Sequence, residues 1–130
     1  MSYISFTVPG KPPAKNARHD LVRRGGHCAR KNSDEYNEFV ERMREAVEEH
    51  EGVEDKGLWR CEIEAYWPEE SHVIGHGTAN ADPDAPISCV LDALQACDVI
   101  DDDMRICKVT ASKHYDKKSP RVVIRLERMQ

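Results

Sequence analysis

Trp59, Cys61, Ile63, Ala65 and Trp67 alternate with Arg60, Glu62, Glu64 and Tyr66. A period of two puts the first five on one face of an extended chain and the polar four on the other. This stretch therefore reads as a strand with one side in a core, both tryptophans included, and it is the cleanest strand in the chain. Pro68 ends it, because proline cannot donate to a ladder.

Other elements follow from the same kind of pattern. Ile4, Phe6 and Val8 alternate with Tyr3, Ser5 and Thr7, which predicts a first strand, and Pro9-Gly10-Lys11-Pro12-Pro13 stops it. Residues 10–32 then read as a long basic loop with Gly25-Gly26 at its tip. Ser33 is placed to cap a helix whose first turn holds Asp34 and Glu35. Tyr36, Phe39, Val40, Met43 and Val47 fall on one helical stripe, and Gly52 lies beyond the end. The polar stretch 69–81, with Gly75 and Gly77, is expected to be a mobile loop. Pro86 suits the first turn of a second helix with Ile87, Val90, Leu91 and Leu94 on its buried face. Residues 105–115 and 121–127 read as two strands, expected to pair as an antiparallel hairpin across Asp116-Lys117-Lys118-Ser119-Pro120. The sum is one α/β domain over residues 1–130: a mixed β-sheet with two packed helices, in the order β-α-β-α-β-β.

The chain has 130 residues and a net charge of −5. That charge is segregated. Residues 11–31 carry seven Lys/Arg against one acid, and 104–128 carry eight against two. Between them, 33–56 carry three against ten, and 57–103 carry one against eleven. Nucleic-acid binding depends on where positive charge lies more than on its total. Basic segments bracketing an acidic middle suit phosphate-gripping arms around a metal site, although ordinary solvated surface has the same composition. No apolar run approaches the ~20 residues of a membrane span. The start, Met1 to Phe6, lacks the basic lead and apolar core of a signal peptide. Five cysteines, Cys28, Cys61, Cys89, Cys97 and Cys107, form no Cys-x-x-Cys pair. They point to a reducing cytoplasm and are read as small buried apolar residues.

The chemistry concentrates around the second helix. Asp82 and Asp84 precede it and Asp101-Asp102-Asp103 follow it. Carboxylates repel, so a chain gathers them chiefly around a hard cation or a basic partner. A helix over 85–96 is ~18 Å long. An extended 97–103 reaches back roughly 20–23 Å, so the two acidic ends can meet. Oxygen-only ligands select Mg²⁺ or Mn²⁺, ions that activate water in phosphodiester cleavage. The competing reading makes Asp84 an N-cap and 101–103 a solvated turn.

Asp82-Pro83-Asp84, then Val90-Leu91-Asp92-Ala93-Leu94, then Val99-Ile100-Asp101-Asp102-Asp103 and Ile106, resemble the RusA-type Holliday-junction resolvases. The opening Phe6-Thr7-Val8-Pro9-Gly10-Lys11-Pro12 and the basic loop after it are similar too. The resemblance implies a homodimeric, Mg²⁺-dependent endonuclease of bacterial or phage origin that nicks four-way DNA junctions symmetrically. By motif position it implies Asp82, Asp84 and Asp103 as the catalytic, metal-binding acids. Asp102 is a weaker ligand candidate, and Asp92 a structural residue pairing with a loop or with Lys108. Lys11, Lys15, Arg18, Arg23, Arg24, Arg30, Lys31, Lys108 and Lys113 are the candidate DNA contacts, reading backbone shape rather than sequence.

Two positions depart from the family pattern. Ala85 stands where an Asn usually follows Asp-x-Asp, and Ser88 where a Lys important to cleavage usually stands. Lys108, Lys113, Arg105 or a basic-loop residue is then needed in its place. The alternative is a junction-binding protein of the same fold that no longer cuts, and a further one is a protein-interaction module using the acidic helix 33–51. His72 and His76 are four apart, but Gly75 and Gly77 argue against the helix a zinc pair needs. Cys28 beside His27 lacks a locatable orienting partner for nucleophilic catalysis.

Overall fold

The computed structural model describes residues 3–13, 19–24, 27–32, 34–47, 57–69 and 86–129, with backbone alone for 19–24 and 27–32. Strand β1 is Tyr3–Pro9, β2 His19–Arg24 and β3 His27–Asn32, followed by helix α1, Asp34–Val47. Strand β4 is Leu58–Trp67 and helix α2 is Ile87–Ala96. A 3-10 turn, Asp103–Arg105, leads into β5, Ile106–Tyr115, and β6 is Arg121–Met129. The main sheet is mixed and four-stranded, in the order β1-β6-β4-β5. The element order and two-helix plan match the sequence reading.

The periodic segments behave as physical patterning requires. The α1 stripe Tyr36, Phe39, Val40, Met43 and Val47 is buried throughout. From α2, Cys89, Val90, Ala93 and Leu94 are buried, with Ile87 and Leu91 packed at the edge. Both stripes share one core with Phe6, Val8, Trp59, Cys61, Ile63, Val122, Ile124 and Leu126 of the sheet. The helices thus cover one face. The other face carries Arg60, Glu62, Glu64, Tyr66, Arg121 and Arg125, all part-exposed.

Three expectations are corrected. Residues 10–32 are not all loop, because β2 and β3 pair antiparallel from His19↔Asn32 to Arg24↔His27. That register leaves only Gly25-Gly26 as the connection, the length and composition hairpins favour. Next, β5 and β6 do not pair with each other. Strand β4 lies between them, parallel to β5 and antiparallel to β6. The connection through α2 supplies the long crossover that parallel neighbours need. The link 116–120 only has to step across one strand, about 9.5 Å for two strand spacings. Five residues span up to roughly 16–18 Å, so the step is easy. Burial agrees: Val122, Ile124 and Leu126 are fully buried, as in a central strand, while β5 alternates poorly, as at an edge.

The third correction concerns Cys107. Cys61 and Cys89 are buried as expected, but Cys97 is half-buried and Cys107 exposed. The register runs Trp59↔Ile106, then Arg60↔Lys108, so Cys107 is the extra residue of a β-bulge. Its thiol lies 3.1 Å from the Met129 sulfur. The bulge also sets the faces of β5. Lys108 falls opposite Arg60 on the open face, whereas Lys113 falls opposite Ala65 on the helix side.

Candidate metal-binding turn and nucleic-acid interface

The turn carrying the second acidic cluster is built by the end of α2. The Cys97 N–H donates to Ala93 O, and the N–H of Val99 to Leu94 O at 2.9 Å. Asp98 takes φ 58°, a left-handed conformation that Asp tolerates better than most residues. The reversal buries Val99 and Ile100, which anchor it in the core. Residues 97–103 are therefore a tight return, not the extended reach inferred from length. The return folds Asp103 back beside the helix, where its backbone N–H donates to Gln95 Oε1 at 3.3 Å.

The three consecutive aspartates then do different things. Asp101 takes two bonds from one guanidinium, Arg105 Nε at 3.0 Å and Nη2 at 3.3 Å. That pairing holds its carboxyl below the usual carboxylate range. Asp102 caps the 3-10 turn, accepting from the Met104 N–H at 3.0 Å. The Asp103 carboxyl is raised instead. Its hydrogen bond with the Asp102 side chain is the largest cause, followed by lost hydration and the negative charges of Asp102 and Asp92. Asp92 lies one helical turn before Gln95, and an open hollow of about 280 Å³ is lined by Tyr36, Asp92, Gln95 and Ala96.

Asp103, Asp102 and Asp92 thus lie within electrostatic reach of one another. Their donors are carboxylate oxygens alone, the chemistry that fits a hard divalent cation. Among the described residues no group of three or more His, Cys, Asp or Glu is set to hold an ion. Asp82, Asp84 and Ala85 lie outside the described residues, as do Ser33, Gly52, His72, His76 and all of the 69–81 loop except Glu69. Lys108 lies across the sheet from α2, so it is not the partner of Asp92.

The candidate DNA contacts divide in the same way. Lys11 Nζ lies 3.3 Å from Glu69 Oε1. Arg23, Arg24, Arg30 and Lys31 are strand residues of the β2–β3 hairpin, while Lys15 and Arg18 lie outside the described residues. The side chains of Cys28 and His27 are likewise not described. Lys108 and Lys113 occupy opposite faces of the edge strand β5.

Sequence patterning missed two residues that hold this region. Gln95 ties Asp103 to α2. Arg42 donates through Nη1 to Pro9 O at 2.6 Å and through Nη2 to Lys11 O at 3.5 Å, pinning the root of the basic segment to α1. Gly10 makes room: it has φ +100°, and a Cβ there would stand 1.7 Å from Arg42 Nη1. The glycine in Pro9-Gly10-Lys11 was the available signal for such a close approach.

The fold is of the α/β class, a four-stranded mixed sheet with two packed helices and a separate β2–β3 ladder, with an acidic turn after α2. The family model for the endodeoxyribonuclease RusA matches residues 9–127. The chain belongs to the RusA endodeoxyribonuclease family, a family of Holliday-junction resolvase nucleases. No curated protein matches the chain. Among the described residues no helix is long and apolar enough to cross a membrane.

Proposed function

We propose that this protein is a Mg²⁺-dependent, structure-specific endonuclease that resolves four-way or other branched DNA by paired nicks. Asp82, Asp84 and Asp103 hold the metal, with Asp102 as an auxiliary ligand and Mn²⁺ as a competent substitute. When bound, such an ion lowers the pKa of a water and stabilises charge on the phosphate. The protein's own part is positional. The return after α2 and the Gln95 bond fix the Asp103 backbone, and the Arg105–Asp101 pair fixes the turn. The basic hairpin holds the arms through phosphates. Paired nicks need two sites, so the working unit is a homodimer.

The observation that carries this reading is the crowding of Asp103 by Asp102 and Asp92 on a turn where Asp101 already has its guanidinium partner. Of Arg105, Lys108 and Lys113, Arg105 is the nearest to Asp103 along the chain. Lys113 lies seven residues along β5 from Ile106, roughly 23 Å away at about 3.3 Å each. Lys108 faces the other side of the sheet. A second reading, junction binding without cleavage, is favoured by one observation: Ser88 stands exposed in the first turn of α2, and Arg105 is already engaged by Asp101.

The test is nicking of a synthetic four-way junction against linear duplex in Mg²⁺. Asp103→Asn is expected to lose at least about 100-fold in rate, beyond the 10–100-fold typical of residues that only support ligands. Unchanged nicking by Asp103→Asn removes the assignment. Tight, salt-sensitive binding with no nicking in either metal selects the second reading.

A further inference from the structure

The link between β5 and β6 carries two lysines that the site above does not use. We propose that Asp116–Pro120 is a second DNA-contacting element, in which Lys117 and Lys118 take backbone phosphates of a junction arm held by the basic segment 11–31. This rests on the reading that the protein binds branched DNA.

Position is the first support. The link steps over the end of β4, where the Asp116 N–H donates to Trp67 O at 2.9 Å. At its other end Pro120 O accepts from the Gly10 N–H at 2.9 Å. Gly10 directly precedes the basic segment, which runs from Lys11 through the β2–β3 hairpin. The two lysines therefore sit at the root of that segment, so one arm can touch both.

Construction is the second. The link is a built turn: Asp116 Oδ1 accepts from the N–H groups of Lys118 and Ser119, each at 3.1 Å. Arg121 Nη1 donates to Asp116 Oδ2 and to Ser119 O, both at 2.9 Å. Arg121 also lies over the Tyr66 ring, its guanidinium carbon 3.8 Å from the centroid. An aspartate bonding its own backbone two and three residues on is a standard way to fix a turn. Here it fixes the backbone from which both lysines project.

Charge is the third. Along the open sheet face, arginines are matched by carboxylates: Arg125 with Glu62 and Glu64, Arg60 with Glu127. In the link the single acid, Asp116, is engaged by Arg121, and Lys117 and Lys118 are exposed. Surplus exposed lysine beside a basic segment is the electrostatic footprint of phosphate contact.

The experiment measures Kd of the full-length protein for a synthetic four-way junction in EDTA across a salt series. Each phosphate contact contributes about 0.9 to the slope of log affinity against log salt. Lys117→Gln/Lys118→Gln is expected to lower that slope by about 1.8. Its affinity deficit then shrinks about 12-fold between roughly 50 and 200 mM salt. Arg44→Gln, which removes one positive charge on α1 where it is paired with Glu41, serves as the control away from the link and keeps the wild-type slope. Junction binding with the same slope in wild type and double variant overturns the link's role and leaves the parent reading standing. A wild type that binds no junction at low salt overturns the parent reading, and this inference with it.

Discussion

The open face of the sheet and the turn after α2 are both rich in acid, yet they treat it in opposite ways. On the sheet face Glu64 accepts from Arg125 and, at 3.0 Å, from the Tyr66 hydroxyl. The Arg125 bond is the largest cause holding its carboxyl below the ordinary 4.5. Tyr66 in turn stacks on His114 with ring centroids 4.7 Å apart, and His114 lies 2.9 Å from Ser112 Oγ. In the turn, Asp103 has other carboxylates as its near neighbours and its carboxyl is raised from 3.8. An acid whose partner is built into the fold supports structure. One gathered among like charges gains most from a cation supplied from outside.

This contrast predicts that the two regions can be separated by mutation. The largest effect is expected from Asp103→Asn, which should abolish most nicking while leaving Tm unchanged or higher, because a like-charge repulsion is removed. A Tm well below wild type would make Asp103 a structural residue like Glu64. Arg125→Ala should do the reverse. It leaves Glu62 and Glu64 without their guanidinium and is expected to cost about 1–3 kcal/mol in urea unfolding, the usual penalty for orphaning part-buried bonded groups. Nicking by the folded fraction should be unaffected.

The pH dependence sharpens the same comparison. Glu64 has a lowered value in the fold, so its contribution is present above its ordinary 4.5 and is lost as pH falls through the lowered value. Asp103 has a raised value, so its contribution is present below 3.8 and is lost as pH rises through the raised value. Urea unfolding between pH 3 and 6 should therefore show Glu64→Gln converging with wild type toward low pH. Asp103→Asn should gain on wild type as pH rises. Parallel curves for both variants would erase the distinction. A smaller effect, about 1 kcal/mol or more, is expected for Gly10→Ala, since φ +100° is strained for any side chain and Arg42 must give way.

The legible parts of the sequence were those where a period coincides with burial. The alternation in β4 and the α1 stripe correspond one to one with buried residues, because only one face of each element meets the core. The β2–β3 hairpin was hidden, since residues such as Arg23, Arg24, Arg30 and Lys31 give no apolar period. The pairing of β5 with β4 was hidden for a different reason. Adjacency in sequence favours a hairpin, whereas β6 pairs with β1 on one side and β4 on the other, which puts it in the centre. The odd spacing of Lys108 and Lys113 already sets them on opposite faces, but the bulge at Cys107, which has no sequence signature, decides which face each one takes. In the site, the acidic turn was legible as a cluster. The division of labour among Asp101, Asp102 and Asp103 depends on Arg105, Met104 N–H and Gln95, contacts that spacing alone does not encode. The joining of Asp82 and Asp84 to Asp103 stands as a proposal.

Anomalous diffraction from a crystal of the full chain soaked in Mn²⁺ tests that proposal most directly. The expected result is an ion with carboxylate oxygens of Asp82, Asp84 and Asp103 all about 2.1 Å away, the range of small hard cations. An ion seated elsewhere, with the Asp103 carboxylate outside its ligand set, would contradict it.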